Sequence, residues 1–363
     1  MIIIEIACSR WILILMTLPI VAIGHDHSSL HIPAAEYRSP ETPVIIGQDD
    51  FRYQLIPGWG RQNAEGFKLG HCHAMAEDSQ GRILLLNASD EHCMLVLGQD
   101  GGLLDVWGSF APGAHGLAII EEGGIEYLFI TDNSKNGKVF KTTMDGYVLK
   151  TIGCPMESGL YQSPEEFRPS KTMHLPNGDF FVIDGYGKDF IHRYNAKGEY
   201  QSSFGGSIGE GEARLEHFGP HGGGIDFSNP HEPEIILALS DKNKMKRFSL
   251  KGDWLETINL PGSNPRDVVF HRDHIVVPHL GDNWPTDRNA AGYISILDKN
   301  FKVIANLGGK PPKYRNGKLD TMTHSSHLFH HPHGLCFDSD GNLYVAQFAS
   351  NSTWPLKFKL VGD

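Results

Sequence analysis

His333-Gly-Leu-Cys-Phe-Asp338-Ser-Asp-Gly341-Asn-Leu-Tyr-Val-Ala-Gln347 is a β-rich run opened by histidine, an Asp-x-x-Gly turn and a second β-rich run. The turn separates two stretches dense in apolar and aromatic residues, which is the signature of an antiparallel hairpin. The same unit recurs upstream. It runs from His73 through Asp78 and Gly81 to Asn87, and from His115 to Asp132 with a further strand over Lys138 to Gly146. Later copies contain Pro176 to Tyr186 with Phe190 to Gly198, Ile235 to Asp241 with Lys246 to Gly252, and Pro265 to Phe270 with His274 to His279. A period of about 40 to 50 residues made of short strands and turns identifies propeller blades, since a single four-stranded blade cannot bury both of its faces without neighbours. Six units predict an all-β, six-bladed β-propeller. Phe51 to Trp59 reads as an early strand that supplies the missing strand of the last blade and closes the ring, removing an exposed edge.

Composition agrees with this class. Forty-one glycines and 21 prolines in 363 residues favour a turn-rich β architecture. A formal net charge of −11 and the lack of a basic stripe exclude nucleic acid as a partner. Arg10 followed by the apolar run Trp11 to Ile23, with Ala22-Ile23-Gly24 as a cleavage site, reads as a signal peptide over 1–24. The run is short and is interrupted by Pro19, so no stable membrane span is expected after cleavage, and the mature chain is expected to be secreted or periplasmic; without cleavage it would be membrane-anchored. Residues 25–50 read as an N-terminal extension and 51–363 as the propeller. Cys72, Cys93, Cys154 and Cys336 remain after cleavage and allow three complete pairings; no CxxC is present, so a thiolate zinc site has no support.

The inner strand of each blade lines the central channel, so equivalent positions at its start form a ring at one mouth. Counting back from the turn glycines, and by context for two blades, the ring is His73, His115, Ser170, His221, Arg266 and His333. His115, His221 and His333 share a His-Gly context and lie 106 and 112 residues apart, two repeats each time. Three imidazoles on alternate blades are therefore expected to converge on the axis, and three neutral imidazoles with an open position form a usual zinc site, although manganese or iron accept the same ligands. His324, His327, His330 and His331 have no symmetry partner and are not assigned to the site.

These elements resemble the catalytic core of the peptidyl-α-hydroxyglycine α-amidating lyases, within the six-bladed propellers built of NHL repeats. The resemblance covers roughly residues 65 to 350 and rests on the His-Gly-Leu element at His115, the Pro-His elements at His221 and His333, and Asp184-Gly185-Tyr186. It implies zinc on His115, His221 and His333, Tyr186 as catalytic base, and cleavage of the C–N bond of a hydroxyglycine-like carbinolamide to an amide and a glyoxylate-type aldehyde, from a small-molecule or peptide-derived substrate. Several positions depart from the family. Leu86-Asn87-Ala88 stands where the family carries an arginine, and Lys242 replaces a second arginine after Asp241. Gly334 stands in place of the aspartate that helps hold the family's structural calcium, so calcium is not expected on the family's ligands, although the carbonyls of Met75 and Leu117 remain. Gly187 replaces a cysteine, so that disulfide is absent. Arg266, in the channel ring itself, is the remaining candidate for binding an anionic substrate group, and Lys242, Arg266 and Lys171 are expected to lower the pKa of Tyr186. The alternatives are a non-catalytic propeller that binds a protein or glycan, and a metal-dependent lactonase-like hydrolase.

Overall fold

The computed structural model describes residues 41–62, 67, 69–262, 264–281, 292–348 and 354–361. The signal-peptide reading of 1–24 lies outside the described residues. The chain is a six-bladed β-propeller of antiparallel sheets. Blade one comprises His71–Glu77, Ile83–Ala88, Met94–Leu97 and Leu103–Trp107. Blades two, three, four and five open with Ala114–Glu122, Lys171–His174, Pro220–Asp226 and Val269–His271. Blade six opens with Pro332–Phe337, continues through Leu343–Gln347 and Leu356–Leu360, and is completed by Phe51–Ile56, which pairs antiparallel with Leu356–Leu360. A fifth strand, Ile45–Gln48, lies outside it, upstream of the boundary expected at residue 51. Among the described residues no helix is long and apolar enough to cross a membrane.

The hydrophobic core is divided among the junctions between blades. Leu84, Leu86, Met94 and Val96 of blade one pack with Ala114, Leu128 and Ile130 of blade two. Their neighbours in the same strands, Ile83, Leu85, Leu95 and Leu97, pack on Tyr344 and Ala346 of blade six. Alternate side chains of each middle strand therefore serve opposite junctions, which is why the second strands read as unbroken apolar runs. The first hairpin turns of blades one and six share one device. Asp78 accepts hydrogen bonds from the amides of Gln80 and Arg82 at 3.0 and 2.8 Å, Asp338 from those of Asp340 and Asn342 at 3.1 and 2.8 Å, and Gly81 and Gly341 adopt positive φ. Cys72, Cys93, Cys154 and Cys336 are free thiols, so none of the open pairings forms.

Candidate metal centre

Four histidines surround the channel axis. Ring centroids lie 4.6 Å apart for His73 and His115, 4.7 Å for His73 and His333, 4.8 Å for His115 and His221, and 4.8 Å for His221 and His333. All four are buried. The three expected ligands are thus brought together, and His73 joins them from blade one. His73, His115 and His333 have ligand atoms that all lie within 4.8 Å of one another, a group that does not include His221.

Each histidine occupies the same local irregularity. The pairing of the inner strand with its neighbour shifts between Cys72 and Ala74, Ala114 and Leu117, Pro220 and Gly222, and Pro332 and Gly334. These are β-bulges, which kink a strand and re-aim a side chain. Each ring is then fixed by the next blade. Nδ1–H of His73 donates to Ala114 O at 2.9 Å, His115 to Ser170 O at 2.8 Å, His221 to Arg266 O at 2.8 Å and His333 to His73 O at 2.8 Å. A carbonyl can only accept, so Nδ1 carries the proton in all four and Nε2 is left as the lone-pair nitrogen. Burial and neighbouring positive charge hold His221 and His333 well below the usual imidazole pKa, which keeps the lone pairs available at neutral pH. Nε2 of His333 is buried without a hydrogen-bond partner among the described residues. This donor set fits a divalent transition ion.

The glycine after each of three histidines has a steric cause. A Cβ on Gly116 would lie 2.5 Å from Ser170 O, on Gly222 2.4 Å from Arg266 O, and on Gly334 2.3 Å from His73 O. These are the carbonyls that receive the Nδ1 protons, so the His-Gly pair lets the neighbouring backbone approach closely enough to orient the ring. The same contact leaves no room for an aspartate side chain at 334 with the backbone as it stands. Gly222→Ala is expected to cost about 1–3 kcal/mol by overpacking and to weaken metal uptake; thermal unfolding and metal titration of the variant check both effects.

Tyr186 stands over the cluster. Its hydroxyl is 2.8 Å from Nε2 of His221 and 3.1 Å from Nε2 of His115. One phenolic proton therefore faces two acceptor nitrogens, an arrangement that invites a cation. The loop that carries Tyr186 is pinned by Asp184, whose carboxylate accepts from the amides of Arg168 and Lys188 at 2.7 Å each and from the Tyr161 hydroxyl at 2.6 Å. Tyr161 also bonds Nε2 of His192 at 2.6 Å, and Nδ1 of His192 bonds Ser203 Oγ at 2.7 Å. Despite its donors, Asp184 is so deeply buried that its pKa is raised to about 7. Gly185 is required because a Cβ there would meet Pro220 O of blade four at 1.9 Å.

Arg266 lies beside this group, 8% exposed, with its Nε lacking a partner among the described residues. Burial raises the pKa of Tyr186, and the charges of Arg266 and then Arg168 pull it back. Lys242 and Lys171 are both placed in ion pairs. The Lys242 ammonium pairs with Glu216 on the rim at 3.1 Å, because Ser240–Lys242 forms a 3-10 turn closed by left-handed Asn243. Lys171 is held by Asp267 at 2.5 Å. Arg168, which the sequence reading missed, lies in the loop that enters blade three and is anchored through its Nε to Asn133 O at 2.8 Å; no motif marks it. Below the histidines, a channel cavity of about 550 Å³ is lined by the inner strands of all six blades.

No known family and no curated protein matches the chain by sequence. Solved structures share its fold. A streptogramin B lyase superposes with a TM-score of 0.54 at 13% identity, covering 82% of this chain and 95% of that one. A catalytically inactive virginiamycin B lyase from Staphylococcus aureus, solved with quinupristin, gives 0.52 at 14% identity over 88% of this chain and all of the other (100%). The PQQ domain of a pyranose dehydrogenase from Coprinopsis cinerea gives 0.50 at 11% identity, covering 86% and 98%. At such identities the likeness establishes the propeller architecture alone.

Proposed function

We propose that the chain is a metal-dependent carbon–nitrogen lyase acting on a small hydroxylated substrate that bears a carboxylate, in the manner of the amidating lyases it resembles. The observation that carries this reading is the Tyr186 hydroxyl placed 2.8 and 3.1 Å from two axial imidazoles, with buried Arg266 beside it. His115, His221 and His333 would hold the ion, zinc being the first choice and manganese or iron the others. A divalent ion at this place supplies Lewis acidity toward a hydroxyl oxygen and positive charge that favours the phenolate form of Tyr186.

The side chains divide the remaining work. Arg266 binds the substrate carboxylate, for which a planar guanidinium in a low-dielectric site is suited. Tyr186 as phenolate takes the proton of the carbinol hydroxyl. The C–O bond becomes a carbonyl as the C–N bond breaks, the electron pair goes to the amide nitrogen, and that nitrogen recovers a proton from Tyr186. Atoms balance as one hydroxyglycine giving one amide and one glyoxylate. That the same propeller architecture serves a streptogramin B lyase supports its suitability for lyase chemistry.

The test is to purify the chain, measure its zinc, manganese and iron, and assay release of glyoxylate from an N-acyl-α-hydroxyglycine. We expect one equivalent of metal and a chelator-sensitive release of glyoxylate. Protein that carries no stoichiometric transition metal, or that is metal-loaded and releases no glyoxylate above the uncatalysed rate, would overturn the reading.

A further inference from the structure

The resemblance that motivates a zinc site names three ligands, but the channel holds four imidazoles prepared in one way. His73 sits at a β-bulge between Cys72 and Ala74, as the other three sit at theirs. Its Nδ1–H is committed to a carbonyl of the next blade at 2.9 Å, as theirs are. Its ring is as close to His115 and His333, 4.6 and 4.7 Å, as any pair in the cluster. A histidine serving only to pack the channel would have no need of a bulge that turns it inward or of a bond that fixes its tautomer. We propose that the ion is held by four imidazoles, with His73 as the fourth ligand, a proposal that rests on the metal-binding reading above.

The blade numbers determine what such a centre looks like. His333, His73 and His115 belong to the consecutive blades six, one and two, and His221 belongs to blade four, directly across the ring from His73. Ligands therefore approach from four of six directions. The two remaining directions belong to blades three and five, which present Ser170 and Arg266 at the same level; blade three also carries Tyr186. An outside molecule entering from the side of blades three and five would meet the phenol and the guanidinium, the two side chains assigned to chemistry.

The charge of the set decides what enters. Four imidazoles are neutral, so none of the dication's charge is cancelled by its ligands, and Arg266 adds a further positive charge nearby. The site then selects an anion, a carboxylate or alkoxide oxygen, as its exogenous ligand. Four nitrogen donors and no oxygen donor also select the metal. Zinc, copper, iron and nickel accept imidazole readily, whereas calcium and magnesium require oxygen.

The experiment uses the full chain loaded with one equivalent of Cu(II). Pulsed electron paramagnetic resonance counts the imidazoles coupled to the ion, and competition with a chelator gives its affinity. In the wild type we expect four coupled imidazoles; in His73→Ala we expect three, with affinity lowered more than about 100-fold, beyond the roughly 10–100-fold that loss of an outer hydrogen-bond partner costs. Three imidazoles in the wild type, or unchanged affinity and spectrum in His73→Ala, overturns the proposal and leaves the three-ligand centre standing. Failure of the wild type to retain any copper, zinc or iron overturns the metal reading itself. The wild-type imidazole count requires no variant, so misfolding of His73→Ala does not protect the proposal; His73→Gln, which keeps volume and polarity, gives the second comparison.

Discussion

Replacing Tyr186 by phenylalanine is expected to lower kcat for an N-acyl-α-hydroxyglycine by about 10²–10⁴-fold, the usual contribution of a positioned acid–base group, with KM and metal content little changed. The phenyl ring retains the edge contacts with His115 and His221, whose centroids lie 5.1 and 5.4 Å from that of Tyr186, so the loop stays in place and only the hydroxyl is lost. The pH profile separates a chemical role from a structural one. A general base acts when deprotonated, so wild-type kcat should rise with pH through the pKa of Tyr186; Arg266 and Arg168 draw that pKa down from the high value burial imposes. The phenylalanine variant should lose this limb while keeping its melting temperature. If kcat of the metal-loaded variant stays within about threefold of the wild type, well inside the range expected for such a group, Tyr186 is not the base.

The second large effect concerns ring closure. Leu55 is 1% exposed in the strand that the N-terminal segment lends to blade six, and it packs in the cluster that contains Leu343, Leu356 and Phe358 together with Ile294 and Leu307 of blade five. Leu55→Ala should cost about 2–5 kcal/mol, through lost transfer energy and the cavity left behind. Leu104, 60% exposed on the outer strand of blade one, provides the contrast: Leu104→Ala should cost less than about 0.5 kcal/mol. Urea unfolding of both variants measures the difference, and a Leu55→Ala loss below about 1 kcal/mol, short of the ordinary core penalty, would mean that the N-terminal strand is not an integral part of the closed ring.

Much of this architecture is legible in the chain because the turns are local. In blades one and six an aspartate two and four residues before the amides it binds, and a glycine three residues after it, mark the first hairpin without reference to the rest of the molecule. Six copies then predict the ring, and counting back from the glycines places His73, His115, Ser170 and His333 at one level. Bulges are not legible in this way, since a bulge is defined by the register of two strands. The rule of alternate blades therefore assigned three histidines and set His73 aside, although the count had placed it correctly. The ion pairs of Lys242 and Lys171 are not legible for a related reason. Lys242, which stands where the resembled family carries an arginine, pairs with Glu216 after the turn at Asp241, and Lys171 pairs with Asp267; both partners are distant in sequence or set by strand packing. Arg168 acts on Tyr186 through the charge it brings from the loop that enters blade three, which no motif marks. Ile45–Gln48 was hidden by the prolines and polar residues that precede it.

The four Nδ1–H bonds to the neighbouring blades run tangentially around the channel while the Nε2 lone pairs face its axis. At those four junctions blade spacing and imidazole angle are therefore linked, so that opening one of them would rotate the ring anchored across it. A substitution at the outer edge of a blade that tilts the sheet by a few degrees would retune the bite of the metal site without touching a ligand.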